Sequence, residues 1–288
     1  MFSNRIIVSF EGRCELNCKH CFALEQENEY MKNDVDAIVD SLDDKEFDII
    51  YVSHNKENFW HAIDGVELCE KLYARYRRDM CITSRCVLDN EMFNRMVMLN
   101  NTMKDQGKRI FWCESVPALE SASIIEDLNK VPSSEKRIDF LGRLRANDIY
   151  AILSIRPLFP SEVIPNKEIK RLIEMAIGNV DAIITGGLIT TEEIEKRLVL
   201  NYENWKYLEK NDSAYLVGAI SDKARFVDVR DEIMSLRNCC EVCEIPFFEH
   251  SLQAINYLTH KALSDILKIR EHPKVWGTSV YGTSCIHY

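Results

Sequence analysis

The chain has no run of 18 or more apolar residues, so nothing in it reads as a membrane-spanning helix. Its opening Met1-Phe2-Ser3-Asn4-Arg5 leads into only a short apolar stretch, less than the h-region of a secretory signal. A cytoplasmic protein with reduced thiols and no membrane partner is therefore expected. Glycine and proline are scarce, ten and seven in 288 residues, and no linker, repeat or low-complexity tract divides the chain. One domain is expected, with a core over about 5–190 and a C-terminal extension over about 191–288. Broad basic surface is also missing: the net charge is −10, which speaks against nucleic acid as a partner. Cysteine, by contrast, is plentiful. Eleven is an odd number, and a disulfide framework does not suit an unsecreted chain of this length.

Three of those cysteines form the most informative local pattern. Cys14, Cys18 and Cys21 have the spacing C-x3-C-x2-C, just after a short apolar run. Three thiolates on one loop can hold three irons of a cubane cluster and leave the fourth iron open to a ligand. The alternative is a zinc site completed by His20 or a distant cysteine, although zinc modules usually show two paired ligand sets.

The rest of the chain alternates β-rich runs with amphipathic helices. Strands are expected at 6–10, 47–53, 80–83, 109–113, 150–155 and 180–185. Helices are expected at about 33–43, 61–77, 89–104, 119–129 with 134–147, and 166–177. In the helix over 134–147, Ile138, Leu141 and Leu144 recur at three-residue steps, and Ser133 or Ser134 supplies the cap. Such βα alternation predicts an α/β fold with a parallel sheet and helices outside. Further on, 190–210 reads as helical, 214–220 as a strand, 227–237 as a helix and 244–248 as a strand. A last helix then carries Leu252, Ile255, Leu258, Ala262, Leu263 and Ile266 on one face.

The cysteine trio at the head of a βαβα chain resembles the signature of the radical S-adenosylmethionine (SAM) enzymes. That resemblance implies a partial (β/α)6 TIM-like barrel over roughly 5–190, a 4Fe–4S cluster on Cys14, Cys18 and Cys21, and SAM on the open iron. It implies reductive cleavage of SAM to a 5′-deoxyadenosyl radical that abstracts hydrogen from an unidentified substrate. An external one-electron donor, such as a flavodoxin or ferredoxin, would be a partner.

Active sites of such barrels gather at the C-terminal ends of the strands, which selects the remaining candidates for binding SAM. His20 occupies the place before the third cysteine where the family usually has an aromatic residue near the adenine. The second strand ends Ser53-His54-Asn55-Lys56-Glu57-Asn58, without the glycines of the family's Gly-Gly-Glu-like segment; Ser53, His54 and Asn55 are the expected contacts. Ser84 ends the third strand. Glu114 and Ser115 end the fourth, and a carboxylate such as Glu114 can accept two ribose hydroxyls. Arg156, ending the fifth, could clamp the SAM carboxylate bidentately. Gly186, after the sixth, allows a ligand close to the backbone.

A second group, Cys239, Cys240 and Cys243 with Cys285 near the end, reads either as an auxiliary cluster or as cysteines buried at a turn. One of them could instead donate hydrogen to a product radical. Cys81, Cys86 and Cys113 are expected in the core. Within the family, Arg156-Pro157-Leu158-Phe159-Pro160 resembles a strand ending of the spore photoproduct lyase branch, which implies a nucleic-acid substrate against the acidic charge balance. A non-catalytic iron–sulfur or zinc-binding regulatory protein is the reading from another class.

Overall fold

The computed structural model describes residues 2, 4–10, 14–21, 24, 34–54, 56–198, 204–208 and 224–260. Six strands follow one another across a parallel sheet: β1 (Arg5–Val8), β2 (Ile49–Val52), β3 (Asp79–Ser84), β4 (Ile110–Ser115), β5 (Tyr150–Leu158) and β6 (Ala182–Gly187). Sequential order with every pair parallel is the arrangement of a (β/α) barrel segment. The fold class read from the sequence holds, with one addition. A seventh strand, β9 (Phe247–Phe248), pairs in parallel with β6 through Ile183 and Ile184.

Helices α1 (Val35–Asp40), α2 (Ala62–Tyr76), α3 (Asn90–Asp105), α5 (Ser134–Ala146) and α6 (Asn166–Ala176) connect successive strands. Their starts follow local chemistry. The Asp34 carboxylate accepts from the amides of Asp36 and Ala37, and Asp89 Oδ1 accepts from Met92 N at 2.9 Å. Ser133, rather than Ser134, caps α5. The helix expected over 119–129 shrinks to α4 (Ala122–Ile125). Glu168 of α6 causes this: its buried carboxylate takes the amides of Leu119 (2.6 Å) and Ser121 (3.0 Å) and the Ser121 hydroxyl, so the backbone is held in a turn.

Strand parity divides the core in two. Ile50, Val52, Met80, Ile82, Trp112 and Leu153 face the helices. Ile49, Tyr51, Cys81, Phe111, Cys113, Ile152 and Ile184 face the other way, where Ala254, Ile255 and Leu258 of α9 (Ser251–His260) cover them. Parallel sheets bury both faces, and here α9 supplies the second cover. The seam is fastened at Tyr51, whose hydroxyl lies 3.2 Å from Ser251 Oγ. It is fastened again at Phe2, whose amide donates to Asn256 Oδ1 at 2.8 Å across 254 positions of sequence.

Between β6 and β9 the chain departs from expectation. Where a helix was expected over 190–210, the described residues form β7 (Ile189–Thr190) and α7 (Glu192–Leu198), and β7 pairs antiparallel with the unforeseen β8 (Arg225–Phe226). The helix expected at 227–237 is α8 (Arg230–Val242), shifted because Val227 bridges to Tyr207. The strand expected over 214–220 lies outside the described residues, as does the last helix beyond 260. Among the described residues no helix is long and apolar enough to cross a membrane.

Candidate functional site

A cavity of about 740 Å³ opens at the C-terminal ends of the strands. The loop after β1 runs along one wall and brings Cys14, Cys18 and Cys21 into its lining. That loop is shaped by its own sequence and clamped from three sides. Leu16 and Cys18 are buried anchors, Asn17 takes a left-handed conformation (φ 52°), and Cys21 N donates to Cys18 O. Lys19 N donates to Ile125 O at 3.0 Å, and Lys130 Nζ reaches Glu15 O at 2.8 Å. Arg197 of α7 donates to Lys19 O (3.1 Å) and Cys21 O (2.7 Å).

Burial pushes the Cys18 thiol up to about 12, with the nearby Arg85 charge working against it. A thiolate at this depth therefore needs cationic company, which a metal supplies when it binds. Among the described residues no three His, Cys, Asp or Glu side chains converge closely enough to hold a single ion. Three thiols lining one cavity are, in kind, the donor set that an iron–sulfur cluster takes.

The structure brings most of the expected SAM contacts to this cavity: His20, Ser53, His54, Ser84, Ser115, Arg156 and Gly186 all line it. Asn55 lies outside the described residues. Several of these side chains are already engaged. Ser53, itself at φ 66°, donates to Lys56 O (2.6 Å) and accepts from Asn58 N (2.8 Å), closing its own turn. Ser115 Oγ donates to Arg156 O. His54 meets Tyr51 edge-on at 5.7 Å. His20 is buried edge-on against Phe159, and burial followed by the Arg85 charge lowers it to about 3, so the imidazole is neutral.

One expectation needs correction. Glu114 does not reach the cavity. It stands on the helix-facing side of β4 with Trp112, whose Nε1 donates to Glu114 Oε2 at 2.9 Å, while its Oε1 is buried without a partner. Burial holds this carboxyl well above the usual range, against the Trp112 hydrogen bond and Arg137. Arg156 lines the cavity, as expected, and also acts as a staple. Its Nη2 donates to Thr185 O (2.8 Å) and Glu249 O (2.6 Å), tying β6 to the chain after β9. Gly186 has the space requirement expected of it for a different reason: a Cβ there would stand 3.0 Å from Arg156 Nε.

Sequence reasoning missed three charged residues. Glu57, two positions past Asn55, lines the cavity and accepts from Phe59 N, Ser84 Oγ and Arg85 N (2.7 Å), joining the β2 turn to β3. Burial raises its carboxyl; these donors oppose the shift. Its signal was the carboxylate of the segment after β2. Arg85 and Glu126 form an ion pair at 3.0 Å beside His20. No local motif announces that pair.

Among the described residues, the remaining cysteines sit in the core or pack partly against it. Cys240 is fully buried, and Cys239 and Cys243 pack partly against the same cluster at the end of α8. Cys285 lies outside the described residues. Cys81 and Cys113 touch at 3.7 Å on the α9-facing side of the sheet, and Cys86 is buried.

No protein-family model matches the chain, and no curated protein matches it in sequence. Solved structures do match in fold. A spore photoproduct lyase variant is 10% identical with a TM-score of 0.60, over 84% of this chain and 75% of that one. Another, with bound AdoMet and dinucleoside spore photoproduct, is 12% identical over the same shares, also at 0.60. Streptococcus suis SuiB bound to S-adenosylmethionine is 13% identical with a TM-score of 0.50, over 87% of this chain. The chain spans about half of SuiB, 51% of its length. The likeness to these structures is one of fold.

Proposed function

We propose that this chain is a radical SAM enzyme: a 4Fe–4S cluster on Cys14, Cys18 and Cys21 cleaves SAM reductively and yields a 5′-deoxyadenosyl radical that abstracts hydrogen from a substrate. The observation that carries the reading is the placement of the C-x3-C-x2-C loop. All three cysteines line one cavity at the C-terminal mouth of a parallel βα sheet, where chemistry concentrates in such folds. Bound cluster and SAM would supply the hard chemistry, and the chain supplies orientation and exclusion of water. Glu57, His54 and Ser84 offer polar contacts on the strand-end wall, while Leu188, Ile189 and Val229 make a dry one. The electron comes from an external donor such as a flavodoxin or ferredoxin.

Anaerobic reconstitution with iron and sulfide tests this. The expected result is a reducible 4Fe–4S signal that SAM perturbs, with 5′-deoxyadenosine formed on reduction. Replacing all three loop cysteines by Ala should abolish both. Stoichiometric zinc without SAM cleavage would point to a binding protein instead.

A second reading concerns the substrate. The fold likeness is greater to spore photoproduct lyase, at 0.60, than to SuiB bound to SAM, at 0.50. We infer as the alternative an enzyme acting on a nucleic-acid lesion. Dinucleoside spore photoproduct added to the reduced protein should then increase 5′-deoxyadenosine; no increase removes this alternative and leaves the first reading standing.

A further inference from the structure

The end of β3 carries a cation with no role in the reading so far. The Arg85 side chain is 20% exposed, lines the cavity, and lies within electrostatic reach of Cys18 and Cys21. Its Nε donates to Glu126 Oε1 at 3.0 Å, and its Nη2 stands 3.3 Å from both His20 Nε2 and Arg156 O. A guanidinium only donates, so His20 Nε2 accepts and the neutral ring carries its proton on Nδ1. One arginine thereby orients the residue between the second and third cysteines.

Glu126 does not neutralise Arg85 alone. The fully buried Arg137 takes the same carboxylate twice, Nη1 to Oε1 at 3.2 Å and Nη2 to Oε2 at 2.6 Å. Two guanidiniums thus share the Glu126 carboxylate, and the only other acidic group bonded to Arg85 among the described residues, Glu57, takes its backbone amide rather than its guanidinium. Arg137 is sealed within the helix layer at 0% exposure, so of the two guanidiniums only Arg85 meets the cavity. A largely buried guanidinium that shares its carboxylate with a second one is costly unless a further negative group opposes it. Three thiolates on an iron cluster are such a partner.

We propose that Arg85 is the counter-charge of the cysteine loop, raising the reduction potential of the cluster held there and fixing His20 beside it. This rests on the function proposed above. Reduction adds one electron, taking the cluster from the 2+ to the 1+ state. A fixed positive charge across a low-dielectric wall favours the more negative state.

The test is an EPR-monitored redox titration of the full chain, reconstituted without oxygen and poised with titanium(III) citrate, which is oxidised to titanium(IV). Arg85→Gln should keep the iron and sulfide content of the wild type and titrate at a more negative potential. Arg85→Lys should return most of the shift, and Glu126→Gln should move the potential the opposite way. A purely structural Arg85 would change cluster content and leave the potential of the remaining cluster unmoved, which overturns the proposal. Should Arg85→Gln hold no cluster, Glu126→Gln decides, and an unchanged or lowered potential there overturns it as well. A wild-type chain that takes up no cluster fails the underlying function first and this inference with it, whereas a normal wild-type cluster with an unmoved Arg85→Gln potential fails this inference alone.

Discussion

In β4, one step of register separates Glu114, packed under Trp112 against the helices, from Ser115, which lines the cavity. Strand side chains alternate faces, so two adjacent polar residues cannot both reach one ligand. Glu114 consequently carries a stability cost whose sign can be worked out. Its folded value lies above the unfolded one, near 4.3. Between those values the native state holds a proton that the unfolded chain has lost, so stability falls as pH rises through this window. Glu114→Gln keeps an acceptor for Trp112 Nε1 and removes the titration. Urea midpoints should show the variant gaining on the wild type from pH 4 to pH 8; a constant difference would mean the carboxyl is not buried as described. Arg137 behaves oppositely. Arg137→Met strips Glu126 of its bidentate partner and should destabilise by about 3–5 kcal/mol, as loss of one member of a buried pair does.

Among the elements, those written by local chemistry could be read directly. Asp89 opens α3 by accepting from Met92 N, and Asp89→Ala should cost about 1 kcal/mol, measurable as a shift in thermal midpoint. The six strands were legible because strands buried on both faces are short apolar runs, and side-chain caps mark α1, α3 and α5 between them, though not α2 and α6. The failures have tertiary causes. Glu168, 47 and 49 residues away, captures the amides that would have begun a longer α4. β7, β8 and β9 are two residues each, too short to carry a period. The cysteine trio was visible because its members are neighbours in sequence. Arg85 and Glu126 were not, since Arg85 meets His20 across 65 positions and Glu126 across 41. For α9, Ile255 is fully buried against the sheet, and Ile255→Ala should cost about 2–5 kcal/mol by denaturant titration.

At the scale of the whole molecule, the sheet is built outward from β1 while its concave cover arrives from residues 251–260. The Phe2–Asn256 hydrogen bonds, 2.8 Å and 3.3 Å, join segments 254 positions apart. Synthesis on a ribosome delivers those two ends at different times, at about 5–20 residues per second. Until position 256 has left the exit tunnel, Tyr51, Phe111 and Ile152 face water on one side of a half-finished sheet. A nascent chain arrested before α9 should accordingly bind chaperones that release the same chain once the helix is free to dock.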